Sequence, residues 1–256
     1  LESILGVRLF DRLRRDIRLT PEGNRLLNHA DLLIAEWRKA RQEVAPGGAR
    51  QQLSAGGTLR LWDIILQDWF HRLRRQQPQL AIIAESLPAE QLTRRLLDGV
   101  LDLAFMVEPP NLEVLQISAV GVIELLLVGS RPIASTEAAL ADEYLMVDWG
   151  VAHALEHRRL FPDAPEPQVR VSQSTMALAH LLELGGFAYL PAPLVTGHLL
   201  SGRLHRVPDA PAIERPVSAI YPLRGAKTGL IDKCLELFKQ DGINTGGTGN
   251  AGQVIS

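Results

Sequence analysis

Cysteine is nearly missing: Cys234 is the single one in 256 residues. That excludes an intrachain disulfide framework and fits a reducing compartment, here the cytoplasm. Long apolar runs are missing too, so no segment is expected to cross a bilayer, and no signal peptide is recognised. Net charge is close to zero, −2 from 27 basic and 29 acidic residues, which excludes a generally basic nucleic-acid coat. There is no P-loop, no G-x-G-x-x-G after a strand and no G-x-S-x-G elbow. An initiator methionine and a leading helix cap are also lacking. Leu1, Ile4 and Leu5 already have helical apolar spacing, so the chain opens inside an element whose first part is expected upstream.

The hydrophobic content, 46%, is enough for about two domains with ordinary cores. Basic charge is concentrated near the start. Gly6 ends the helical stub. Arg8-Leu9-Phe10 alternates like a half-buried strand, and Ile17, Leu19 and Thr20 look like its partner. Between them Asp11-Arg12-Leu13-Arg14-Arg15-Asp16 forms a turn with three arginines. A hairpin with arginines at its tip suits phosphate contact or entry into a narrow minor groove. A solvated charged turn has the same composition. Arg8, Arg12, Arg14, Arg15 and Arg18 are the candidate DNA contacts.

Thr20 is placed to cap the next helix, with Pro21 at its first position and Glu22 at its positive end. From there Leu26, Ala30, Leu33, Trp37, Ala40 and Val44 are spaced alternately by four and three, as in a coiled-coil seam. Pro46-Gly47-Gly48 and the SAGG of Ser54 to Gly57 follow, read as a flexible hinge. A helix with little domain of its own beside it is expected to bury this stripe on a second copy.

From Thr58 short apolar runs alternate with amphipathic helices. The expected elements are a strand to Leu61, a helix over 63–75, a strand over 80–84, a helix over 89–97 and a strand over 101–107, with another at 123–128. That βαβαβ order implies a parallel sheet with right-handed crossovers. A second unit repeats it: strands at 144–147, 169–171 and 187–190, helices at 153–160 and 175–184. The strand at 217–221 and the helix at 230–239 return to the first unit. Two βα units joined by two crossings have the layout of a periplasmic-type binding fold, whose ligands sit near strand ends and helix N-termini.

The run LGVRLFDR, then RLTPEG and a long helix, resembles the second half of the winged helix-turn-helix of LysR-type transcriptional regulators, a bacterial family. LWDIILQDWFHRL and the later DWG resemble the branch that includes a repressor of the flagellar master operon. The resemblance implies a partial winged helix-turn-helix, a long linker helix that forms dimers, and an α/β effector-binding domain of periplasmic-binding-protein type with two subdomains. The expected boundaries are the end of the recognition helix and the wing at 1–20, the dimerisation helix at 21–45 and the hinge at 46–57. Subdomain I takes 58–131 and 221–242, subdomain II takes 132–220, and 243–256 is a disordered tail. The implied partners are promoter DNA and further copies of the chain, as homodimer or homotetramer.

Trp62-Asp63 is expected to enter the first helix of the effector domain, where LysR-type domains place effector-binding side chains. Asp63 serves equally well there as a helix cap. Glu108 leaves a strand toward the crossing. Ser174 and Thr175 either donate hydroxyls or cap their helix, and Tyr189 and Pro191 end a strand. Asp63 and Glu108 unpaired at a cleft mouth would disfavour an anion, so a neutral or cationic effector, or none, is expected. His153-Ala-Leu-Glu156-His157 fits the H-x-x-E-H metallopeptidase pattern, but no downstream helix supplies a third ligand. A solvated helix face is expected there, with no metal, no cofactor and no enzyme activity; Cys234 belongs to the core. A solute-sensing module without a DNA role, or a fragment that dimerises without reading DNA, remains the alternative.

Overall fold

The computed structural model describes residues 1–13, 16–43, 51–225 and 227–239. The expected tail over 243–256 lies outside them. Helix α1 (Glu2–Leu5) stops at Gly6, which takes the left-handed conformation at φ 69°. Strands β1 (Phe10–Leu13) and β2 (Asp16–Leu19) pair antiparallel, from Phe10 against Leu19 to Leu13 against Asp16. The strands therefore take in most of the stretch expected as a turn. Arg14 and Arg15, at the tip, lie outside the described residues. Helix α2 (Pro21–Glu43) follows, and Thr20 caps it: its Oγ1 accepts from the Gly23 amide at 3.0 Å and donates to the Arg8 carbonyl at 2.8 Å. Gly23 is where α2 meets the hairpin, since a Cβ there would stand 2.2 Å from the Leu9 carbonyl oxygen.

In the next unit β3 (Gln52–Gly57) is the central strand, parallel to β4 (Ala81–Ser86) on one side and β5 (Leu103–Met106) on the other. A continuous helical stretch joins β3 to β4: α3 (Leu59–Leu61), a π-helical turn (Trp62–Leu66) and α4 (Gln67–Gln76). Helix α5 (Ala89–Leu97) joins β4 to β5. The βαβαβ order is as expected, but its first strand is not. The SAGG stretch expected in a hinge is buried strand, and Thr58 to Leu61, expected as strand, already begins the helix. The small residues serve packing. A Cβ on Gly56 would meet Leu92 at 2.5 Å, and one on Gly57 would meet Leu66 at 2.3 Å.

Strand β6 (Leu115–Gly129) leads into α6 (Thr136–Ala141), β7 (Tyr144–Val147), α7 (Val151–Leu160), β8 (Val169–Val171), α8 (Ser174–Glu183), β9 (Phe187–Pro191) and α9 (Ala192–Leu200). The short β10 (His205–Arg206), the long β11 (Ile213–Pro222) and α10 (Thr228–Lys239) close the chain. Among the described residues nine strands form one sheet, in the order β4-β3-β5-β11-β6-β9-β7-β8 with β10 against β6. Strand β11 pairs with β5 through Ser218 to Ile220, and β6 pairs with β9 through Leu125 to Gly129. The two crossings thus run within the long strands β6 and β11.

Subdomain I is centred on Trp69, stacked on Phe238 at 5.9 Å and edge-on to Phe105 at 4.9 Å. Its Nε1 donates to the Cys234 carbonyl at 2.9 Å, tying α4 to α10. Cys234 is core as expected, and burial pushes its thiol up to about 11. Among the described residues no helix is long and apolar enough to cross a membrane.

Candidate functional site in the cleft between subdomains

Each βα crossover puts a helix start just beyond a strand end. Four such starts line one cavity of about 660 Å³ between the subdomains, at Thr58, Pro88–Ala89, Gly150 and Gln173. The cap positions Thr58, Pro88, Gly150 and Gln173 make no side-chain capping bond. The cleft is therefore edged by first-turn amides and the positive ends of helix dipoles.

Two arginines brace it. Arg60, on α3, donates Nη2 to the carbonyls of Asp148 and Ser172, the latter at 2.8 Å. Its guanidinium lies 4.5 Å from the centre of the Trp149 ring. Burial lowers the Arg60 pKa, with Asp148 acting the other way. Arg215, on β11 and 6% exposed, donates to Glu108 Oε1 at 2.5 Å and to the Trp149 carbonyl at 3.5 Å. Gly150 has φ 94°, and a Cβ there would crowd both Glu108 oxygens at 3.2 Å. Both braces thus converge on the loop Asp148-Trp149-Gly150 ahead of α7.

The same region gathers buried polar atoms with no hydrogen-bond partner. They are Nε of Arg60 and of Arg215, Nε1 of Trp149, Oε1 of Gln173, Oγ of Ser174 and both ring nitrogens of His153. Each such group costs about 1–3 kcal/mol. Three are N–H donors that need an acceptor, Gln173 Oε1 needs a donor, and the Ser174 hydroxyl and neutral His153 can do both. His153 is held neutral, its pKa pushed down to about 4 by burial, with Arg215, His157 and Arg60 adding to the effect.

Of the expected effector residues, Glu108 lines the cavity, and Ser174 is buried beside Gln173 at the start of α8. The others are elsewhere. Asp63 is exposed in the π-helical turn and does not line the cleft. Trp62 is drawn to β4, donating Nε1 to the Glu85 carbonyl at 2.9 Å. Thr175 is exposed. Tyr189 and Pro191 are buried in β9, and the Tyr189 hydroxyl donates to the Pro211 carbonyl at 3.0 Å. The expectation of a neutral or cationic effector therefore loses its basis: one of the two carboxylates is outside the cleft and the other is paired with Arg215.

The sequence reading missed Arg60 and Arg215. Arg60 follows from placing β3 at 52–57, which moves the helix start from Asp63 to Leu59. Arg215 had a signal of its own: it alternates with Ile213 and Val217 on the buried face of β11.

The expected solvated face of α7 is also corrected. His153 and His157 are 1% and 6% exposed, and His157 Nε2 is 3.0 Å from the Tyr144 hydroxyl. Glu156 faces outward, paired with Arg159 at 2.7 Å. Among the described residues no group of three or more His, Cys, Asp or Glu is placed to hold a metal.

The model of the LysR substrate binding domain matches residues 47–242 of this chain. The chain belongs to the LysR family. The LysR-family relative HdfR of Salmonella schwarzengrund, named an HTH-type transcriptional regulator, is 33% identical over 244 residues, covering 94% of this chain and 84% of HdfR. Among solved LysR-like structures, a mutant of OxyR from Corynebacterium glutamicum matches with a TM-score of 0.63 at 18% identity, covering 93% of this chain and 79% of that one. DarR of Vibrio fischeri, solved in complex with DNA, matches with a TM-score of 0.60 at 18% identity, covering 93% and 85%. The effector domain of two α/β subdomains is the part of this LysR fold that the family match covers.

Proposed function

We propose that this LysR-family chain regulates transcription in the cytoplasm by binding promoter DNA as a homo-oligomer, under control of a small molecule in the cleft. The observation that carries this is the match to HdfR over 94% of the chain, which takes in more than the effector domain. Support comes from the β1–β2 hairpin, read as the wing of a winged helix-turn-helix, with Arg8 and Arg18 exposed on either side of it. Phosphate contacts of this kind position a protein on the duplex, and a recognition helix reads bases. The dimerisation reading rests on α2: Leu33 and Trp37 are 71% and 64% exposed, Ala40 is exposed, and Leu26 and Ala30 are half-buried. Val44, the last position of the expected seam, lies outside the described residues.

For the cleft we infer an acceptor-bearing, anionic effector. Four uncapped helix starts and the Arg60 guanidinium favour it, and Glu108 already has its counter-charge in Arg215. Such a ligand shifts DNA binding only by holding one arrangement of the two subdomains better than the other. Nuclease footprinting of the whole gene product on its own upstream region tests the reading. A protected stretch that changes on adding a carboxylate effector is expected; no protection at any concentration overturns it.

A further inference from the structure

The loop Asp148-Trp149-Gly150 borders two cavities. The cleft is one. The other, of about 390 Å³, opens between the first turn of α7 and β8, the edge strand of the sheet. Its apolar lining comes from Met146, Val147, Ala154 and Val171. Asp148, Arg170 and Ser172 stand at its exposed rim, and two further polar side chains that line it are nearly sealed from solvent: Trp149 at 2% exposed and His153 at 1%. The indole Nε1 and both imidazole nitrogens have no hydrogen-bond partner.

Charge at this cavity is already matched. Arg170 pairs with Glu166 at 2.5 Å, and the Asp148 carboxylate accepts from the Gly150 amide at 2.9 Å and faces the charge of the Arg60 guanidinium. His153 is neutral at ordinary pH, for the reasons given above. An ion entering here finds no free counter-charge and loses its hydration. A neutral imidazole offers one N–H and one lone pair, and the indole offers one N–H. A hydroxyl or a primary amide answers both: it accepts from the indole and completes either side of the imidazole.

We propose that this side cavity is a second ligand site, for a small uncharged molecule carrying a hydroxyl or primary amide on an apolar body, and that it communicates with the cleft through Trp149. The same ring carries the Arg60 guanidinium on its face, and the same residue's carbonyl receives Arg215. A ligand that engages Nε1 fixes the ring on which Arg60 rests. The binding part stands apart from the effector reading; only the communication rests on it.

Phenol and benzamide are the probes, with toluene and benzoate as apolar and anionic controls. The readout is the indole N–H resonance of Trp149 in the whole chain, one of four tryptophans, assigned by its loss in Trp149→Phe. Saturable shifts with phenol and benzamide are expected, with toluene and benzoate binding about tenfold more weakly or worse. Ala154→Met fills the cavity from an exposed helix position that tolerates the change, and is expected to weaken both probes by about tenfold. Arg60→Ala is expected to change the phenol affinity several-fold while leaving the site open. No saturable shift, equal binding of benzoate, or indifference to Ala154→Met overturns the site. Phenol binding that is unchanged in Arg60→Ala overturns the communication with the cleft. None of these readouts involves DNA or an effector, so failure of the regulator reading leaves them intact.

Discussion

Arg215 and Glu108 differ in what each leaves behind when its partner is removed. Arg215 is 6% exposed and has no room to rehydrate, whereas the Glu108 side chain is 46% exposed. Glu108→Ala is therefore expected to cost about 2–3 kcal/mol, and Arg215→Met, which keeps the volume, nearer about 1 kcal/mol. Urea unfolding midpoints check the order, and a reversed order contradicts the pairing described. His153 makes a prediction about pH. Its folded pKa, about 4, lies below its ordinary value of 6.5, so the unfolded chain takes up the proton first. Stability from this group is complete above pH 6.5 and is lost as pH falls toward 4. His153→Phe should flatten that part of the stability profile, measured as urea midpoints against pH. These side chains were only partly legible in the sequence. His153 and Glu156 share the H-x-x-E-H string, and nothing in that string says which face of α7 packs inward. The apolar residues that a solvated histidine face would turn inward, Val151 and Leu155, are in fact 73% and 64% exposed.

At the scale of elements, small residues carried the least legible information. SAGG in β3 has the composition of a linker, yet its glycines let α5 and the first helix close on the strand. Gly56→Ala is expected to destabilise by about 1–3 kcal/mol, because the added methyl meets Leu92 in a filled core. A flexible hinge would have tolerated it, so thermal melts of this variant separate the two readings. Helices and strands with a strong period were legible to within a few residues: α5 runs from Ala89 to Leu97 and β7 from Tyr144 to Val147, as expected. The short α6 and α9 carry no periodic signal of their own and went unseen. For α2 the exposed Leu33 and Trp37 make the prediction. Leu33→Glu with Trp37→Glu should raise the dimer dissociation constant by at least about tenfold, read by sedimentation velocity, with the far-ultraviolet spectrum unchanged. An unchanged sedimentation coefficient would place the dimer contact elsewhere.

For the whole molecule, the alternation of short apolar runs with amphipathic helices was enough to read two βα units joined twice. What it left open was how the units join. The join lies inside β6 and β11, where one strand serves both units, and a continuous strand has no loop signal to mark the crossing. That same continuity puts the helix starts of both units on one cleft, and this is why the cleft was easier to place than the residues that line it were to name. The regulator account depends on DNA recognition that combines phosphate contact by the wing with reading of bases. The measurement that tests it most directly is a salt-titrated gel shift of the whole gene product on its own promoter region. A scrambled duplex serves as control, with an Arg14→Ala, Arg15→Ala variant alongside. Promoter-selective binding that weakens steeply with salt, and with a shallower salt slope and lower affinity in the variant, is the predicted result. Binding indifferent to sequence, to salt and to those arginines would contradict it.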